Sequence, residues 1–543
     1  MCLRSKGGFT VTDVVIVGAG VAGLYMLHRV KQAGLSVRLI ESGGGIGGTW
    51  YWNRYPGARV DIESIEYSYS FSKELQEEWD WSERFASQPE LLKYLNHVAD
   101  RFDLWENISL STRVDSAIFD EDSNKWLIKT NRGEEIRAQF CIMATGCLSA
   151  PKKPDIPGVD SFRGEQYFTS KWPDEPVNFE GKRVGVIGTG SSAIQSIPLI
   201  AREARHLTVF QRTANYAVPL MNRPLDKDYL RRIKDQYDDL RTMESKAFAG
   251  FVCVDGEPKK PLEISALSVS PEEREKEYEY RYKSGGLCLY SSYSDLLTNK
   301  EANQTLADFL KRKIHEKVKD PVVAEMLTPK GYPVLAKRLC ADTNYYETYN
   351  RENVRLIDVN ITPIEKVTAT GIIVEGIEYP LDALVYAIGF DALTGALTNI
   401  DIRGRNGLVL KEEWEDGPKT YLGLMTFQFP NLFNLAGPGS TAGLTQAIQC
   451  DEHQIGLVMD CIEHVRQAGK ATIEPTDEAQ AGWTDYINYA AAKTLFPLAN
   501  SWYVGANIPG KARTILVDLS GFPAYIDKCA GIVARDFEGF QVQ

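Results

Sequence analysis

The sequence predicts an α/β fold with two Rossmann-like dinucleotide-binding domains and a helical insertion. Two glycine-rich turns support this prediction, Gly18-Ala-Gly20-Val-Ala-Gly23 and Gly188-Thr-Gly190-Ser-Ser-Ala193. Each turn follows a short apolar run typical of a strand and opens a run typical of a helix. A third observation is the charged, helix-like character of residues 219–330, which interrupts the second unit.

The first unit shows the complete order of a dinucleotide-binding motif. A strand is predicted at residues 13–17, a helix at 24–31 and a second strand at 35–40. Gly18 permits the tight turn, Gly20 lets the backbone approach a pyrophosphate, and Gly23 lets the helix pack on the strand. Glu41 follows the second strand, where its carboxylate can accept a hydrogen bond from a ribose hydroxyl. This unit is therefore predicted to bind FAD or NAD.

The second unit ends its second strand differently. Strands are predicted at residues 182–187 and 206–210, and the latter is followed by Gln211-Arg212-Thr213 instead of an acid. Arg212 can pair with a ribose 2′-phosphate and Thr213 can donate its hydroxyl, whereas an acid would repel that phosphate. A charge-assisted hydrogen bond of this kind contributes about 1.5–3 kcal/mol. The second unit is therefore predicted to bind NADP.

Two β-meanders indicate that each unit is interrupted and later resumed. One begins at residue 118 and leads to the apolar run 140–146, and the other lies between residues 361 and 378 and leads to 384–390. The remainder of the chain then has to complete the first unit. The predicted domains are listed here: 1–149 and 387–543 for FAD binding, 150–218 and 331–386 for NADP binding, and 219–330 for the helical insertion, which we expect to shape substrate access.

The composition excludes several classes of function. The net charge of −12 argues against a general nucleic-acid or anionic-membrane binder. No apolar run is long enough to span a bilayer, and the polar first 13 residues do not resemble a signal peptide. Nine scattered cysteines without a C-x-x-C pair predict a reduced, cytoplasmic location. The six histidines show no metal-ligand spacing, so we expect no metal site.

Three longer motifs give the chain a resemblance to a known family. They are the aromatic segment Gly47–Asp61, the connector Phe162–Pro173 between the two glycine turns, and the aromatic loop Ser501–Lys511. Over essentially its whole length the sequence resembles the Baeyer–Villiger monooxygenases, in particular the phenylacetone and steroid monooxygenase branch. In that family the first motif is a flavin-side signature, the second a linker fingerprint and the third a mobile active-site loop.

The resemblance implies two cofactors, FAD and NADPH. Adding the glycines of the first turn, the residues expected around FAD are Gly18, Gly20, Ala22, Gly23, Glu41, Gly48, Thr49, Trp50, Arg59, Asp61, Tyr67, Val114 and Cys147. The residues expected around NADP are Thr189, Gly190, Ser191, Ser192, Gln195, Arg212, Thr213 and Lys337, with Trp502 closing over the site and residues 440–444 bordering the substrate.

The resemblance also implies the reaction. It is the NADPH- and dioxygen-dependent oxidation of a ketone to an ester or lactone through a flavin peroxide. The catalytic residues implied are Arg338, which would stabilise the peroxide and the developing oxyanion, and its carboxylate partner Asp61. The physics suits both roles, because a guanidinium stays charged at any working pH and an unpaired buried cation is unfavourable. The expected partners are therefore a small ketone and dioxygen, and the oligomeric state is not predicted.

Three other readings stay open at this point. A related flavin monooxygenase would oxidise sulfur or nitrogen, but the pair Trp172-Pro173 and the residues Asp61 and Arg338 favour a ketone. A disulfide reductase would need a closely spaced cysteine pair, which the sequence lacks. A nucleotide-binding protein without turnover is the third reading.

One position departs from the family pattern. Phe168 stands where the linker fingerprint has a histidine. It cannot make the hydrogen bonds of that histidine, although its ring can pack in the same interface. We therefore expect a working enzyme in which NADPH oxidation is coupled differently to substrate oxidation.

Overall fold

A computed structural model describes residues 3–4, 10–254 and 258–543 of the 543-residue chain. Residues 1–2, 5–9 and 255–257 lie outside this description. They include the start of the predicted FAD-binding domain and three positions of the predicted helical insertion.

The larger of two main sheets has nine strands and combines parallel strands with an antiparallel meander. Its order, from one edge to the other, is Asp401–Arg403, Val114–Asp120, Lys125–Thr130, Glu135–Met143, Thr10–Val17, Val37–Ile40 and Ile108–Ser109, with Leu3–Arg4 paired to Thr10–Val17 and Leu432–Asn434 paired to Glu135–Met143. Strands from both ends of the chain therefore share one sheet, as the interrupted pattern of the sequence predicts.

The first glycine turn (residues 18–23) allows three segments to meet closely. A Cβ on Gly18, where φ is +107°, would lie 2.4 Å from the carbonyl oxygen of Ala144. A Cβ on Gly23 would lie 1.9 Å from the carbonyl oxygen of Gly18. The turn leads into the first helix, Val21–Gln32, which begins earlier than the predicted residue 24. The next strand begins at Val37, not at residue 35, because Ser36 is held by hydrogen bonds to the Asp13 carboxylate.

The smaller main sheet has five strands, all parallel. Its order is Val354–Asp358, His206–Gln211, Arg183–Ile187, Ala383–Tyr386 and Glu165–Phe168. The second glycine turn (residues 188–193) follows Arg183–Ile187 and leads into the second helix, Ser191–Glu203. This sheet confirms the second Rossmann-like unit, and the α/β fold class is confirmed with it.

The connector (residues 162–173) belongs partly to this sheet. Its residues Glu165–Phe168 form the edge strand beside Ala383–Tyr386, and the Phe168 ring stacks on Tyr386 with ring centroids 4.7 Å apart. Its end is anchored on the flavin-side segment, because Trp172 N donates to the carbonyl oxygen of Trp52 at 3.4 Å. The connector is therefore packed against its neighbours, and it supplies a strand in addition to joining two units.

Three smaller sheets and a set of helices complete the fold. The sheets are Ala217–Pro219 with Cys340–Asp342, Ile364–Val367 with Gly371–Val374 and Ile377–Pro380, and Ile473–Pro475 with Phe540–Val542. The helices within residues 219–330 are Lys227–Lys234, Tyr237–Lys246, Pro271–Ser284, Lys300–Lys317 and Pro321–Leu327. Elsewhere the α-helices are Thr49–Trp52, Lys73–Glu78, Gln88–Arg101, Tyr345–Thr348, Gly395–Thr398, Leu410–Glu413, Ala447–Gln467, Asp477–Ala492 and Phe522–Ala534. The 3₁₀ turns are Trp105–Asn107, Val159–Ser161, Ala266–Ser268, Cys288–Ser291, Arg405–Gly407, Phe496–Leu498 and Trp502–Val504.

The helices between residues 219 and 330 carry the charge runs of the sequence. The helix Pro271–Ser284 begins with a capping box in which Ser270 and Glu273 exchange hydrogen bonds, and most of its charged side chains are exposed. Within the described parts of the chain, no helix is long and apolar enough to cross a membrane.

Candidate functional site

Both glycine turns leave the start of a helix without a side-chain cap. The first helix begins after Gly20 and the second after Gly190, and in neither does a side chain accept a hydrogen bond from the first-turn N–H groups. Neither of these two helices has an acidic residue in its first turn. Free N–H groups and the helix dipole together favour a phosphate at such a position.

The first glycine turn is faced by a further glycine pair, Gly47-Gly48. A Cβ on Gly48, where φ is +52°, would lie 2.8 Å from the Cα of Gly20. Glu41 lies beside them, 5% exposed, and its carboxylate accepts hydrogen bonds from Ala19 N at 2.7 Å and Gly43 N at 2.6 Å. The two turns and the acid together form a cradle of closely spaced backbone groups.

Aromatic side chains extend this cradle. The Trp50 Nε1–H donates to the Tyr67 hydroxyl at 3.3 Å, and the two rings meet edge to face. Burial raises the pKa of Cys147 to about 11, so its thiol is neutral at physiological pH. Ala22 is buried at the start of the first helix, while Thr49 is exposed beside Trp50.

The side chains of two predicted FAD residues, Arg59 and Val114, are engaged within the protein. Arg59 donates to the Glu83 carboxylate at 2.8 Å and to the Phe85 carbonyl oxygen at 3.1 Å, so its guanidinium is already paired. Val114 is 3% exposed, and its side chain belongs to an apolar core cluster of the larger sheet. Two residues earlier in the chain, Thr112 N donates a hydrogen bond to the Glu41 carbonyl oxygen.

The flavin-side segment is joined to the second helix. Tyr55 donates from its hydroxyl to Gln195 Oε1 at 2.9 Å, and Gln195 Nε2 donates to the Arg59 carbonyl oxygen at 3.1 Å. Gly57 allows the approach, because a Cβ there would lie 2.6 Å from the Gln195 carbonyl oxygen. Gln195, which is predicted to contact NADP, therefore also links the two units through these hydrogen bonds.

The second glycine turn places three hydroxyls around the start of the second helix. Thr189 donates to the Thr213 carbonyl oxygen at 2.8 Å, Ser191 lies 3.4 Å from the Cys340 sulfur, and Ser192 lies 3.3 Å from the Thr169 hydroxyl. A Cβ on Gly190 would meet no atom within 4 Å, so the turn opens onto free space. These contacts fix the turn while leaving its backbone available.

Three cations lie together beside this turn. Burial lowers the pKa of Lys337, and the positive charge of Arg212 lowers it further. The same two causes lower the pKa of Lys152, in that order. Arg212 is exposed, and it makes no ion pair with any residue that the structure describes. Such a cluster of repelling cations is stabilised by a bound phosphate. Sequence reasoning missed Lys152, because no motif marks it.

Arg338 and Asp61 form a bidentate ion pair although they are far apart in the sequence. Arg338 Nε and Nη2 each lie 2.8 Å from one Asp61 oxygen, and both side chains are about a quarter exposed, at 27% and 23%. Burial opposes the charge of Arg338, but Asp61 outweighs this effect and raises the pKa of Arg338. The pair is thus charged, oriented and still accessible.

Local structure explains where each partner stands. Arg338 precedes the strand Cys340–Asp342, which pairs with Ala217–Pro219. Asp61 follows Val60, whose N–H donates to the Ala86 carbonyl oxygen at 3.1 Å. Each side chain is therefore held by a short backbone pairing next to it.

The aromatic loop (residues 501–511) covers this region. The Trp502 ring stacks on Tyr503 with centroids 4.0 Å apart, and a Cβ on Gly443 would lie 2.4 Å from the Trp502 ring. The loop is fastened by Lys152 Nζ, which donates to the Asn507 carbonyl oxygen at 2.6 Å, and by Lys511, which pairs with Asp391 at 2.6 Å. Trp502 is thus fixed over the predicted substrate border at residues 440–444.

The arrangement fits two dinucleotides. Each unit has a glycine turn that leads into a helix without a side-chain cap. The glycines of these turns leave the backbone free to approach a pyrophosphate. Among the residues that the structure describes, no group of three or more His, Cys, Asp or Glu side chains could hold a metal ion.

Comparisons with known proteins agree with this geometry. Residues 15–248 match the family described as Pyridine nucleotide-disulphide oxidoreductase. The chain is 42% identical over 518 residues to a Baeyer-Villiger monooxygenase of Pseudooceanicola batsensis, covering 94% of this chain and 93% of that protein. It is 39% identical over 534 residues to the acetone monooxygenase (methyl acetate-forming) of Gordonia sp. strain TY-5, covering 98% and 99%. It is also 41% identical to the phenazine N-monooxygenase of Lysobacter antibioticus, covering 97% and 96%.

Solved structures give the same result. A steroid monooxygenase in its oxidised form bound to NADP superposes with a TM-score of 0.93 at 47% identity, covering 98% of this chain and 99% of that one. A cyclohexanone monooxygenase in a closed crystal structure superposes with a TM-score of 0.95 at 40% identity, with the same coverage.

Proposed function

This chain belongs to the Baeyer–Villiger monooxygenase family, and from that premise we propose which of its residues carry the reaction. It is an enzyme with FAD that uses NADPH and dioxygen to oxidise a ketone to an ester or lactone. The observation that carries our assignment is the bidentate pair of Arg338 and Asp61, which remains partly accessible.

We assign FAD to the cradle of the first unit. Gly18, Gly20 and Gly48 would admit its pyrophosphate, Glu41 would bind its ribose, and Trp50 and Tyr67 would border its ring. When bound, FAD supplies the electrons received from NADPH to dioxygen and so provides the activated oxygen. Arg59 supports this site indirectly, since its side chain is already paired with Glu83.

Arg338 stabilises negative charge on the reacting oxygen atoms. The carbonyl oxygen of a ketone gains negative charge when the carbonyl carbon is attacked, and a guanidinium fixed in a partly dry site stabilises that charge. Asp61 holds the guanidinium in one orientation through two hydrogen bonds, so little reorganisation is needed during the reaction. The remaining N–H groups of Arg338 are available to substrate.

NADP is assigned to the second unit. The N–H groups at Gly190 and the hydroxyls of Ser191 and Ser192 suit its pyrophosphate, and the cluster of Arg212, Lys337 and Lys152 suits its 2′-phosphate. Thr213 and Gln195 would complete the contacts, and Trp502 would exclude water above the nicotinamide.

We also propose a domain division and a cellular setting for the chain. We assign residues 1–149 and 387–543 to the FAD domain, 150–218 and 331–386 to the NADP domain, and 219–330 to an insertion that shapes access. The free thiols of the eight described cysteines suit a reducing cytoplasm. The acidic net charge is compatible with a small-molecule enzyme that binds no nucleic acid.

A second candidate activity is oxidation at a ring nitrogen. It is favoured by one observation, the full-length similarity to a protein named phenazine N-monooxygenase. No oxyanion forms on a carbonyl group in that reaction, so it depends less on Arg338. Product analysis with a ketone and with a heteroaromatic amine separates the two activities.

The test is substitution of the guanidinium. In Arg338→Lys the charge stays but the two-point contact with Asp61 is lost. We expect anaerobic NADPH to bleach the flavin of this variant as in the wild type, while ester formation falls at least about a hundredfold. Arg403→Lys is a matched control, because Arg403 makes an equally bidentate pair with Asp401 at the edge of the larger sheet. Ester formation at the wild-type rate in Arg338→Lys would remove Arg338 from its role.

A further inference from the structure

One buried carboxylate near the flavin side of the site has no partner among the described residues. Asp451 lies in the second turn of the helix Ala447–Gln467 and is 6% exposed. Among the residues that the structure describes, none makes a hydrogen bond or an ion pair with its carboxylate. A buried carboxylate is strongly disfavoured in its ionised form unless it is paired and hydrogen-bonded. The Asp451 carboxylate is therefore stable at this position only when it is protonated or paired with a ligand.

The surroundings of Asp451 place it beside the FAD cradle. Its charge acts on Tyr67 and on Cys147, whose pKa values are raised first by burial and then by Asp451. Both residues are in the predicted FAD set. The preceding residue, Cys450, lies 3.6 Å from the Thr441 hydroxyl and shares an apolar cluster with Cys147.

The neighbouring acid on the same helix is fully engaged, unlike Asp451. Glu452 accepts a hydrogen bond from Ser70 N at 2.7 Å and a second from the Ser70 hydroxyl. Nearby, the Tyr69 hydroxyl donates to the carbonyl oxygen of Val21, in the first turn of the first helix, at 2.6 Å. Helix Ala447–Gln467 packs against that first helix. Asp451 thus lies close to the helix start to which we assign FAD.

The titratable groups around Asp451 come from several elements, and none of them compensates its charge. They are Tyr67, Tyr69, Cys147, Cys450 and Glu452. Burial, followed by repulsion from Glu452, raises the pKa of Asp451 to about 8. The group therefore keeps its proton at neutral pH, and a protonated carboxyl has an O–H donor that needs an acceptor.

We propose that Asp451 is a flavin-binding residue which, as a neutral carboxylic acid, donates a hydrogen bond to bound FAD. The proposal rests on the assignment of FAD to the first unit and adds a contact that no motif supplies. The ligand has many acceptor oxygens and carries negative charge on its pyrophosphate. An ionised Asp451 would repel it and could donate nothing, so only the protonated form favours binding.

The proposal makes FAD binding depend on pH. If only the protonated form of Asp451 binds FAD well, the apparent Kd rises once the pH exceeds the pKa of the free site. For a pKa of about 8, the Kd rises about tenfold between pH 7 and pH 9, since the deprotonated fraction dominates above the pKa.

The experiment measures FAD release from the holoenzyme by the recovery of flavin fluorescence on dilution, between pH 6.5 and pH 9. The wild type should lose affinity about tenfold over this range. Asp451→Asn keeps the shape and an N–H donor that does not titrate, so its affinity should be independent of pH. Asp451→Leu removes the donor and should weaken binding about tenfold at pH 7. Asp460→Asn is the control, because Asp460 is exposed on the same helix and its substitution should leave the wild-type profile unchanged.

Two results would overturn the proposal. One is an Asp451→Asn variant that loses FAD at alkaline pH as the wild type does. The other is an Asp451→Leu variant that binds FAD as tightly as the wild type at pH 7. Binding of adenosine 2′,5′-bisphosphate by the second unit shows that each variant is folded. A wild-type enzyme that retains no FAD at any pH would instead refute the assignment of FAD to the first unit.

Discussion

The cationic cluster beside the second glycine turn predicts a strong preference for NADPH over NADH. In Arg212→Ala, one charged partner of the 2′-phosphate is removed. A charge-assisted hydrogen bond contributes about 1.5–3 kcal/mol, and we take the lower end because Arg212 is exposed. That value corresponds to about a tenfold increase in the Kd of NADPH, because 1.4 kcal/mol is a factor of ten. The Kd of NADH, which lacks the phosphate, should not change.

The assay is anaerobic bleaching of the flavin in a stopped-flow instrument, with the rate followed against the concentration of each nucleotide. Arg202→Ala is the control, since Arg202 is an exposed arginine near the end of the second helix, Ser191–Glu203. Lys152→Met should weaken the binding of NADPH more than that of NADH, and it also removes the hydrogen bond that fastens the aromatic loop; Lys153→Met is its exposed neighbour control. If Arg212→Ala weakens the binding of NADH and of NADPH by the same factor, the side chain supports the turn and does not recognise the phosphate.

The same cluster should make the preference for NADPH over NADH weaker as the pH rises. Burial and the charge of Arg212 lower the pKa values of Lys152 and Lys337, so both lysines lose their protons at a lower pH than ordinary lysines. The 2′-phosphate stays ionised as the pH rises. The Kd of NADPH should therefore increase toward alkaline pH while that of NADH stays constant, and a preference that is flat with pH would contradict the cluster.

Three further substitutions test other parts of the site. Asp61→Asn leaves Arg338 without its anion and should lower ester formation about a hundredfold or more, measured by product analysis, with FAD still bound. Gly443→Ala places a methyl group 2.4 Å from the ring of Trp502, so it should displace that ring and raise the KM for NADPH; an unchanged KM would show that the loop moves freely. Phe168→His replaces a ring that stacks on Tyr386, and it should change the hydrogen peroxide released per NADPH consumed; an unchanged ratio would mean that the departure from the family pattern is merely tolerated.

The parts of the fold that local chemistry determines were predictable from the sequence. Gly18 and Gly188 stand where backbone carbonyl oxygens approach within 2.4 Å of a would-be Cβ, so glycine there is a direct signature of the turn. The strands before these glycines are short apolar runs, which are visible in the sequence. Their ends were less predictable, because residues such as Ser36 are fixed by side-chain hydrogen bonds to distant positions.

The missed residues have roles that only the tertiary structure creates. Lys152 looks like its neighbour Lys153 in the sequence, but residues 150–152 pair with 389–391, which brings Lys152 beside Asn507 and Arg212. Asp451 sits in a helix among polar residues and becomes unusual only because its side of the helix is buried. Conversely, Arg59 fits its motif, yet Glu83 already pairs with it, and no sequence spacing indicates that.

The structure also implies that the catalytic ion pair depends on how the two units meet. Asp61 comes from the flavin-side segment, whereas Arg338 lies just before the strand Cys340–Asp342, which pairs with Ala217–Pro219. Their two-point contact at 2.8 Å requires the two segments to stay in place, and the contacts that join these parts of the chain include the hydrogen bonds of Gln195 to Tyr55 and Arg59 and that of Trp172 N to the Trp52 carbonyl oxygen. A bidentate contact tolerates little displacement, because both of its hydrogen bonds require alignment. Because Gln195 lies on the second helix, that helix is joined directly to the segment that carries Asp61.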